Sequence, residues 1–348
     1  MLISIIIPFY NGSMFLNRAL TSILVQENTK LEVLIINDHS DEEEEIKLKE
    51  IVHNYSFLLD IKIIDNAGVR GPGPARQLGI DNAKGEYLMF LDVDDEFQPH
   101  QLQKYIPFID KEYPDVLFNP MLHQGDPKSN DFVMVAYGKE DPYVLGNLYN
   151  RETLIENNIR FKEDLYCCED IYFNNLIKYT PSLKIAVSTD EEDCCYLKRR
   201  TEISITEKLY EQNKLYTEYY FNDFLTALFE PLYKGIETGF YKEIRNSIDL
   251  IPNLYLYTQA LMYRARVNNR ELDKDTEINI KFHLNKFIKM LNINDIYILN
   301  WIDKKIETKN NQVEPLFQIL RESVITGFGH DFVEQQTFYE FLEWLKED

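Results

Sequence analysis

The sequence is short of basic residues. It has 37 Lys and Arg against 58 Asp and Glu in 348 residues, and its formal net charge is -21. Surfaces that bind nucleic acid or anionic lipid need clustered Lys and Arg, so no nucleic-acid partner is expected. With 45% hydrophobic and 13% aromatic residues, the chain has a globular composition and enough length for two domains.

Long apolar runs are missing as well. The first run, Ile3 to Ile7, has no basic region before it and no small-residue cleavage site after it, which argues against a signal peptide. No segment reaches the roughly 20 apolar residues that span a bilayer. We therefore expect a cytoplasmic protein without a transmembrane segment, and peripheral association with the inner face of the membrane stays open.

Cysteine is scarce, with four residues in two adjacent pairs, Cys167-Cys168 and Cys194-Cys195. Directly adjacent thiolates converge poorly on one metal ion. The pattern favours reduced, buried thiols that act as small apolar residues, with a metal site or redox pairing as the alternative.

The first half of the chain alternates strand and helix patterns. Short apolar runs predict buried strands, and apolar residues at helical spacing predict helices between them. The predicted strands are Ile3 to Ile7, Val33 to Ile36, Ile61 to Ile64 and Tyr87 to Leu91, and the predicted helices cover 14–26, a segment from Glu42, and 75–83. This succession predicts an α/β domain with a mostly parallel, doubly wound sheet.

Three carboxylates directly follow the last predicted strand. Asp92, Asp94 and Asp95 stand at the end of the run KGEYLMFLDVDDE. Ligands bind at this edge of open α/β sheets, and carboxylates there can hold a hard divalent cation that in turn holds phosphates. The alternative is a solvated acidic turn that caps the next helix.

Four segments, in this order, carry a family resemblance: IIIPFYN, VLIINDHSDE, NAGVRGPGPARQLGIDNAKGEY and MFLDVDD. The set resembles the nucleotide-binding half of the inverting, GT-A-type glycosyltransferases of family 2. Each segment also falls at the predicted end of a strand. The resemblance implies a GT-A (Rossmann-like) fold, a UDP-sugar donor and Mn²⁺ or Mg²⁺ as the metal.

The resemblance also implies donor contacts. Tyr10 would pack near the base, and Asp38 would accept a hydrogen bond from uracil or ribose unless it only caps a turn. Asn66 and Arg76 would contact the sugar or diphosphate, but an Arg paired with a neighbouring acid is the alternative. The implied nucleotide-sugar contacts are Pro8, Tyr10, Asn11, Asp38, Asn66, Arg76, Asp92, Lys198, Arg199 and Ser204.

The chain departs from the family pattern beside Arg76. Gln77 stands where the family usually has Asn, and Gly71-Pro72-Gly73-Pro74 is an insertion that could reshape the sugar pocket. The departure leaves the identity of the sugar open.

The resemblance divides the tasks of the three aspartates. Asp94 would bind the metal directly, and Asp92 would contact the sugar or reach the metal through water. Asp95 has no implied role and is expected to be no more than a helix cap.

A second constellation lies further along the chain. Pro142 to Phe161 resembles the strand and helix that lead into the acceptor site, and Glu169-Asp170 resembles the family's Glu-Asp motif. The resemblance implies Asp170 as the general base of a direct, inverting displacement and Glu169 as a contact of donor-sugar hydroxyls. Ordinary capping of the helix that follows is the alternative.

The segment 196–206 resembles the family's closing segment over the diphosphate. Arg199 would be the main clamp, with Lys198 and Ser204 as helpers, because consecutive basic residues suit a diphosphate. A solvated basic strand end is the alternative.

After Thr206 the pattern becomes helical throughout. We predict a catalytic domain over 1–206 and an all-helical domain over 207–348, which would bind acceptor or form a homo-oligomer. Helical signals fall at 209–230, 244–266, 278–292, 296–306, 315–325 and 332–345. The aromatic residues there, with Trp301 and Trp344, are expected to form core, with an acceptor groove as the alternative.

The resulting hypothesis is an inverting glycosyltransferase that moves a sugar from a UDP-sugar to a glycan or polyol-phosphate hydroxyl. The helical tail resembles those of prophage or cell-wall teichoic acid glycosyltransferases. The alternatives are an inactive nucleotide-sugar-binding or assembly protein, and a sugar nucleotidyltransferase, which the lack of an early Gly-rich loop with Arg and Lys disfavours.

Overall fold

The structure is a computed structural model that describes residues 1–26, 29–125, 131–136, 138, 141–188, 194–199, 218–238 and 273–290. The chain divides into two compact units, residues 1–215 and residues 216–348. Each unit is described by itself.

The first unit alternates strands and helices from its first residues. The strands are β1 (Leu2–Phe9), β2 (Lys30–Asn37), β3 (Asp60–Asp65), β4 (Tyr87–Phe90), β5 (Glu96–Phe97), β6 (Val116–Phe118), β7 (Met121–Gln124), β8 (Phe132–Val135), β9 (Leu148–Asn150), β10 (Ile185–Val187) and β11 (Tyr196–Lys198). The helices are α1 (Ser13–Leu24), α2 (Glu42–Tyr55), α3 (Pro72–Asn82), α4 (Leu102–Glu112), α5 (Arg151–Glu156) and α6 (Glu169–Lys178).

The main sheet has seven strands in the order β10-β6-β9-β4-β1-β2-β3. β1 pairs in parallel with β2 and β4, and β3 continues the parallel order from β2. Only β9 runs antiparallel, between β4 and β6. The α/β fold with a mostly parallel sheet is therefore confirmed.

The central strands form the core because both of their faces are covered. Four isoleucines of β1 and the whole of β4 are buried, as expected of continuous apolar runs in a parallel sheet. Leu91 extends the pairing beyond β4 by donating its amide hydrogen to Ile6 O at 3.0 Å. The chain then leaves the sheet at Asp92.

A second, four-stranded sheet has the order β5-β11-β7-β8. β11 pairs antiparallel with β5 and in parallel with β7, and β8 pairs antiparallel with β7. The residues between Asp92 and β5 thus lie at the junction of the two sheets. This sheet was not predicted from the sequence, because its strands are only two to four residues long.

The second unit contains two described helices, α7 (Glu218–Glu237) and α8 (Lys274–Met290). They pack through aromatic rings: Phe229 stacks on His283 with 5.2 Å between ring centroids and contacts Phe287 at 5.6 Å. The predicted helices at 209–230 and 278–292 correspond in part to these two. The other predicted helices, with Trp301 and Trp344, lie outside the described residues.

The expectations about the cysteines and about membrane-spanning segments can be compared with the described residues. All four cysteines are buried and none forms a disulfide, which agrees with the prediction of structural thiols. No helix within the described ranges is long and apolar enough to cross a membrane.

Gly79 provides a test of how α3 packs on β1. A Cβ atom built at Gly79 would lie 2.4 Å from Ile6 Cγ2, inside the core. Gly to Ala in a helix normally stabilises by about 1 kcal/mol, but overpacking costs about 1–3 kcal/mol. We expect Gly79→Ala to lower the free energy of unfolding in urea and Gly125→Ala, where the nearest atom is 3.9 Å away, to leave it nearly unchanged. A stabilised Gly79→Ala protein would contradict this packing.

Candidate active site

The loops that follow β1, β2 and β3 are tied together at one edge of the main sheet. Asn66 Nδ2 donates to Asp38 Oδ1 at 2.7 Å, and the amide hydrogen of Gly71 is donated to Asp38 Oδ2 at 2.9 Å. Asp38 and Asn66, predicted separately as donor contacts, are therefore direct partners. Both are buried, so the carboxylate shapes the turn after β3.

Tyr10 and Asn11 follow β1, in which Pro8 is the second-last residue. Asn11 has a left-handed backbone (φ 47°) and exchanges two hydrogen bonds with Asp41, at 2.7 and 2.9 Å. Tyr10 is 42% exposed, and the Arg70 guanidinium lies 4.0 Å from its ring centroid. A flat aromatic surface therefore lines this edge.

Arg76 lies at the centre of the site, and its side chain is only 4% exposed. Its Nη1 donates to Glu169 Oε1 and to Asp170 Oδ1, both at 2.8 Å, and its Nη2 donates to Asp92 Oδ1 at 2.8 Å. These four residues are called the Arg76 cluster. Arg76 therefore pairs with neighbouring acids in the structure, as the alternative interpretation of the sequence proposed.

The four residues come from three separate elements. Arg76 lies on α3, Asp92 follows β4, and the two other carboxylates open α6. Glycine brings α3 and α6 together: a Cβ atom at Gly73 would lie 3.1 Å from Glu169 Cβ. The inserted Gly-Pro-Gly-Pro segment thus forms the start of α3, with Pro72 at a position where proline suits a helix.

The two carboxylates of α6 do not cap the helix. Cys168 occupies the N-cap position in a left-handed conformation (φ 61°) without a side-chain cap. Glu169 and Asp170 both bond to Arg76 instead. Both carboxylates nevertheless lie in the first turn of α6, where the helix amino terminus favours negative charge.

The environment of Asp170 favours the protonated acid. Burial raises the pKa of Asp170 to about 7, and Glu169 and Asp92 add to the rise while Arg76 opposes it. The amide hydrogen of Val144 is directed at Asp170 Oδ2 at 3.4 Å. Asp170 is thus a carboxyl group that changes charge near neutral pH, as a general base requires.

Burial opposes the charge of Arg76 itself. The carboxylates of Asp170, Asp92 and Glu169 outweigh that effect and raise the pKa of Arg76, so it stays a cation. Its Nε is buried without a hydrogen-bond partner in the described part of the chain. One cation therefore faces three carboxylates, which leaves a net negative charge in the cluster.

The aspartate turn, residues 92–95, brings three carboxylates together. One oxygen from each of Asp92, Asp94 and Asp95 lies within 4.8 Å of the others. This all-oxygen set suits Mg²⁺ or Mn²⁺ in chemistry. The group is the only such candidate within the described residues.

Asp95 is not the cap that the sequence suggested. It is 2% exposed, accepts a hydrogen bond from Tyr196 Oη at 2.7 Å, and accepts the amide hydrogen of Arg199 at 2.6 Å. Burial, followed by the neighbouring Asp94 and Asp92, raises the pKa of Asp95 well above its usual range. The next helix, α4, has Gln101 at its N-cap. Asp95 thus joins the turn to β11.

The predicted closing segment is only partly described. Arg199 pairs with Glu96, and Lys198 Nζ lies 3.8 Å from the ring centroid of Tyr143. Arg199 bonds to Asp95 and Glu96, and the charge of Lys198 opposes the rise in the pKa of Asp95, so both basic residues lie close to the aspartate turn. Ser204 lies outside the described residues.

Sequence reasoning missed the polar residues before β9. Asp141 is buried, and burial raises its pKa to about 7. Asn147 and Asn174 hold its segment in place: Asn147 Nδ2 donates to Asp141 Oδ2 at 3.0 Å, and Asn174 Nδ2 donates to Tyr143 O at 2.8 Å. Asn174 lies one turn after Asp170, a spacing that could have indicated a shared helix face.

Part of the first unit matches a known protein family. Residues 4–169 match the model of Glycosyl transferase family 2. The first unit therefore carries a glycosyl transferase family 2 domain.

Two relatives have names that refer to poly(ribitol-phosphate) or to teichoic acid. The chain is 28% identical over 213 residues to the poly(ribitol-phosphate) beta-N-acetylglucosaminyltransferase TarS of Staphylococcus aureus, covering 57% of this chain and 36% of that protein. It is 28% identical over 251 residues to the minor teichoic acid biosynthesis protein GgaA of Bacillus subtilis, covering 66% and 55%. The chain thus spans only about a third to a half of their lengths.

A crystal structure of S. aureus TarS 1-349 in complex with UDP-GlcNAc is similar in fold. The TM-score is 0.63 at 19% identity, over 94% of this chain and 90% of that one. The resemblance to the GT-A fold is therefore confirmed.

The pKa of Asp170 makes a prediction about stability. A carboxyl group with a raised folded-state pKa stabilises the fold at low pH, and that stability is lost as the pH rises from about 4 to about 7. The Asp170→Asn variant has no ionisable group at this position, so it does not lose this stability as the pH rises. Relative to the unaltered protein, the variant should gain on the order of 1–3 kcal/mol in unfolding free energy between pH 5 and pH 8. Urea unfolding in EDTA measures the difference, and a pH-independent difference would contradict the raised pKa.

Proposed function

We propose that this chain is an inverting glycosyltransferase that moves a sugar from a UDP-sugar to a hydroxyl of a polyol-phosphate chain or another cell-surface glycan. The observation that carries the proposal is the Arg76 cluster, which joins the aspartate turn to a carboxyl group with a pKa of about 7. The names of TarS and GgaA, and the UDP-GlcNAc bound to TarS, support the donor and acceptor classes.

The nucleotide would bind along the loops after β1, β2 and β3. Tyr10 offers an exposed ring beside which a uracil can pack, with Pro8 and Asn11 forming the wall below it. Asp38 is an acceptor-only group, and each of its oxygens can accept a second hydrogen bond from uracil N–H or a ribose hydroxyl. Asn66 fixes that carboxylate in place.

The aspartate turn would hold Mn²⁺ or Mg²⁺ through Asp94 and Asp92. Their oxygen ligands fit either ion, and Asp95 is already bonded to Tyr196 and Arg199. When bound, the ion supplies Lewis-acid stabilisation of the charge on the leaving diphosphate. Lys198 and Arg199 would add positive charge on the same side, with Ser204 as a further contact.

Asp170 would act as the general base. As the acceptor oxygen forms its bond to the anomeric carbon, the bond from that carbon to the diphosphate oxygen breaks, and UDP leaves with the electron pair. The acceptor proton passes to Asp170. One carboxylate is enough for such a direct displacement, which inverts the configuration. Glu169, beside it, would bind donor-sugar hydroxyls.

We also propose a positioning task for Arg76, beside the donor contact first predicted. Both of its terminal nitrogens already donate to carboxylates, which supports a positioning role for Asp92, Glu169 and Asp170. A contact from Arg76 to the diphosphate or sugar remains a prediction. The two roles can coexist, because Nη2 carries a second hydrogen and Nε has no hydrogen-bond partner among the described residues.

The helical second unit, 207–348 in the predicted division, would bind acceptor or form a homo-oligomer. Teichoic acid chains are the acceptor class that its relatives' names suggest. Peripheral association with the inner face of the membrane would bring the enzyme to such an acceptor.

Two other functions compete. An inactive nucleotide-sugar-binding protein would retain the loops but has no use for a base with a pKa near 7. A sugar nucleotidyltransferase would need a triphosphate site. The Arg76 cluster favours transfer over the inactive binding protein, because it holds Asp170, with its raised pKa, beside the aspartate turn.

The donor is tested by screening UDP-glucose, UDP-GlcNAc and UDP-galactose with Mn²⁺. We expect at least one of them to raise the melting temperature and to be hydrolysed slowly in the absence of acceptor. EDTA should abolish the hydrolysis. No thermal response and no hydrolysis with any of the three would contradict the donor assignment.

The base is tested by replacing Asp170 with Asn. Transfer should fall by about 10²-fold or more, because a general base contributes roughly that much, whereas UDP affinity should be retained. Asp164→Asn is the matched control, since Asp164 lies nearby but its side chain is 75% exposed. Unchanged transfer by the Asp170 variant would remove it from the mechanism.

A further inference from the structure

His123, Tyr143 and Lys198 form a second group of polar side chains beside the aspartate turn, here called the His123 cluster. β7 and β11 run parallel with His123 opposite Lys198, so the two side chains lie on the same face of the small sheet. Both contact Tyr143: the His123 ring centroid is 5.7 Å from that of Tyr143, edge to face, and Lys198 Nζ is 3.8 Å from it. The sequence motifs do not include His123, whereas Tyr143 lies in the segment Pro142 to Phe161, which resembles the family's lead into the acceptor site.

His123 has an unused hydrogen-bonding atom. Its Nε2 is buried and has no partner within the described part of the chain. Burial, with the charge of Lys198, lowers the pKa of His123 to about 4. The ring is therefore neutral at physiological pH and carries one N–H, which is costly to bury without an acceptor.

Lys198 also lacks a direct counter-charge. It is half-buried and makes no ion pair with any described residue. Burial opposes its charge, but Tyr143 and the carboxylates of Asp95, Asp92 and Asp170 raise its pKa, so the ammonium group persists. An ammonium group and a neutral N–H side by side suit an oxygen anion.

The position of the cluster indicates which anion it serves. β11 lies between β5, which follows the aspartate turn, and β7, so His123 is one strand further from the metal carboxylates than Lys198. Asp170 Oδ1 faces Arg76, while Oδ2 faces the amide of Val144, the residue after Tyr143. The segment of Tyr143 thus reaches Asp170 at the oxygen that Arg76 does not bind, which places the His123 cluster next to the proposed base.

We propose that His123, with Lys198 and Tyr143, forms a subsite for a phosphodiester oxygen of the acceptor chain. The subsite rests on the proposed function, because an acceptor hydroxyl must approach Asp170 from the side opposite the leaving diphosphate. The His123 N–H donates to a phosphoryl oxygen, and the Tyr143 ring packs against the carbon chain between phosphates. Lys198, one strand nearer the aspartate turn, lies between this phosphoryl group and the leaving diphosphate and can balance charge on either. The cluster would thereby select acceptors that carry phosphate near the reacting hydroxyl.

The test compares acceptor and donor kinetics in the full chain. His123→Phe keeps a ring against Tyr143 but removes the N–H, and His123→Gln restores a donor. With UDP-GlcNAc and poly(ribitol phosphate), we expect His123→Phe to raise the acceptor KM by about tenfold, the effect of losing about 1.4 kcal/mol, with partial rescue by His123→Gln. The donor KM and UDP affinity should change by less than twofold. His53→Phe, at an exposed histidine on α2, is the control.

A second measurement does not depend on turnover. The His123 resonance in histidine-labelled protein, identified by its loss in His123→Phe, should shift when poly(ribitol phosphate) or poly(glycerol phosphate) is added. An unchanged acceptor KM, equal weakening of UDP, or no shift with either polymer would overturn the subsite. Failure of the proposed function differs, since the unaltered protein would then neither bind nor hydrolyse any UDP-sugar.

Discussion

The ion pairs of Arg76 are the constraint on which the candidate site depends. A guanidinium buried in the protein interior is tolerable only if its charge is balanced and its donors are used. Here Asp92, Glu169 and Asp170 provide that balance, each at 2.8 Å. Because these carboxylates come from two segments separated by more than seventy residues, Arg76 fixes the distance between the aspartate turn and Asp170.

The rest of the edge is arranged around this cluster. Because Gly73 has no side chain, α3 can approach α6, and because Gly79 has none, α3 can pack closely on β1. Asp95 ties the aspartate turn to β11 through Tyr196, and the amide of Val144 reaches Asp170 from the other side. Burial then sets the chemistry, since it raises the pKa of Asp170 to about 7 in spite of the adjacent cation. Asp170 therefore changes between its protonated and ionised forms near pH 7.

Much of the fold could be predicted because buried parallel strands appear as apolar runs with polar ends, as in Ile3 to Ile7 and Tyr87 to Leu91. The small sheet could not, since its strands are too short to show a period. The environment of Asp95 was misjudged because Tyr196, which buries it, is about a hundred residues away. Pairing of Arg76 with a neighbouring acid was an open alternative, and His123 was not predicted at all. Sequence spacing supplies no distance between α3, α6 and the loops that contact them.

The pH dependence of transfer by Arg76 variants tests the central claim most directly. Arg76 lowers the pKa of Asp170, so Arg76→Met should move the acidic limb of the rate profile above its position near pH 7, and Arg76→Lys should move it less. Arg160→Met, which breaks an exposed pair with Asp81, is the control and should leave the limb in place. An acidic limb that does not move in Arg76→Met, with transfer still measurable, would contradict the coupling of Arg76 to the base.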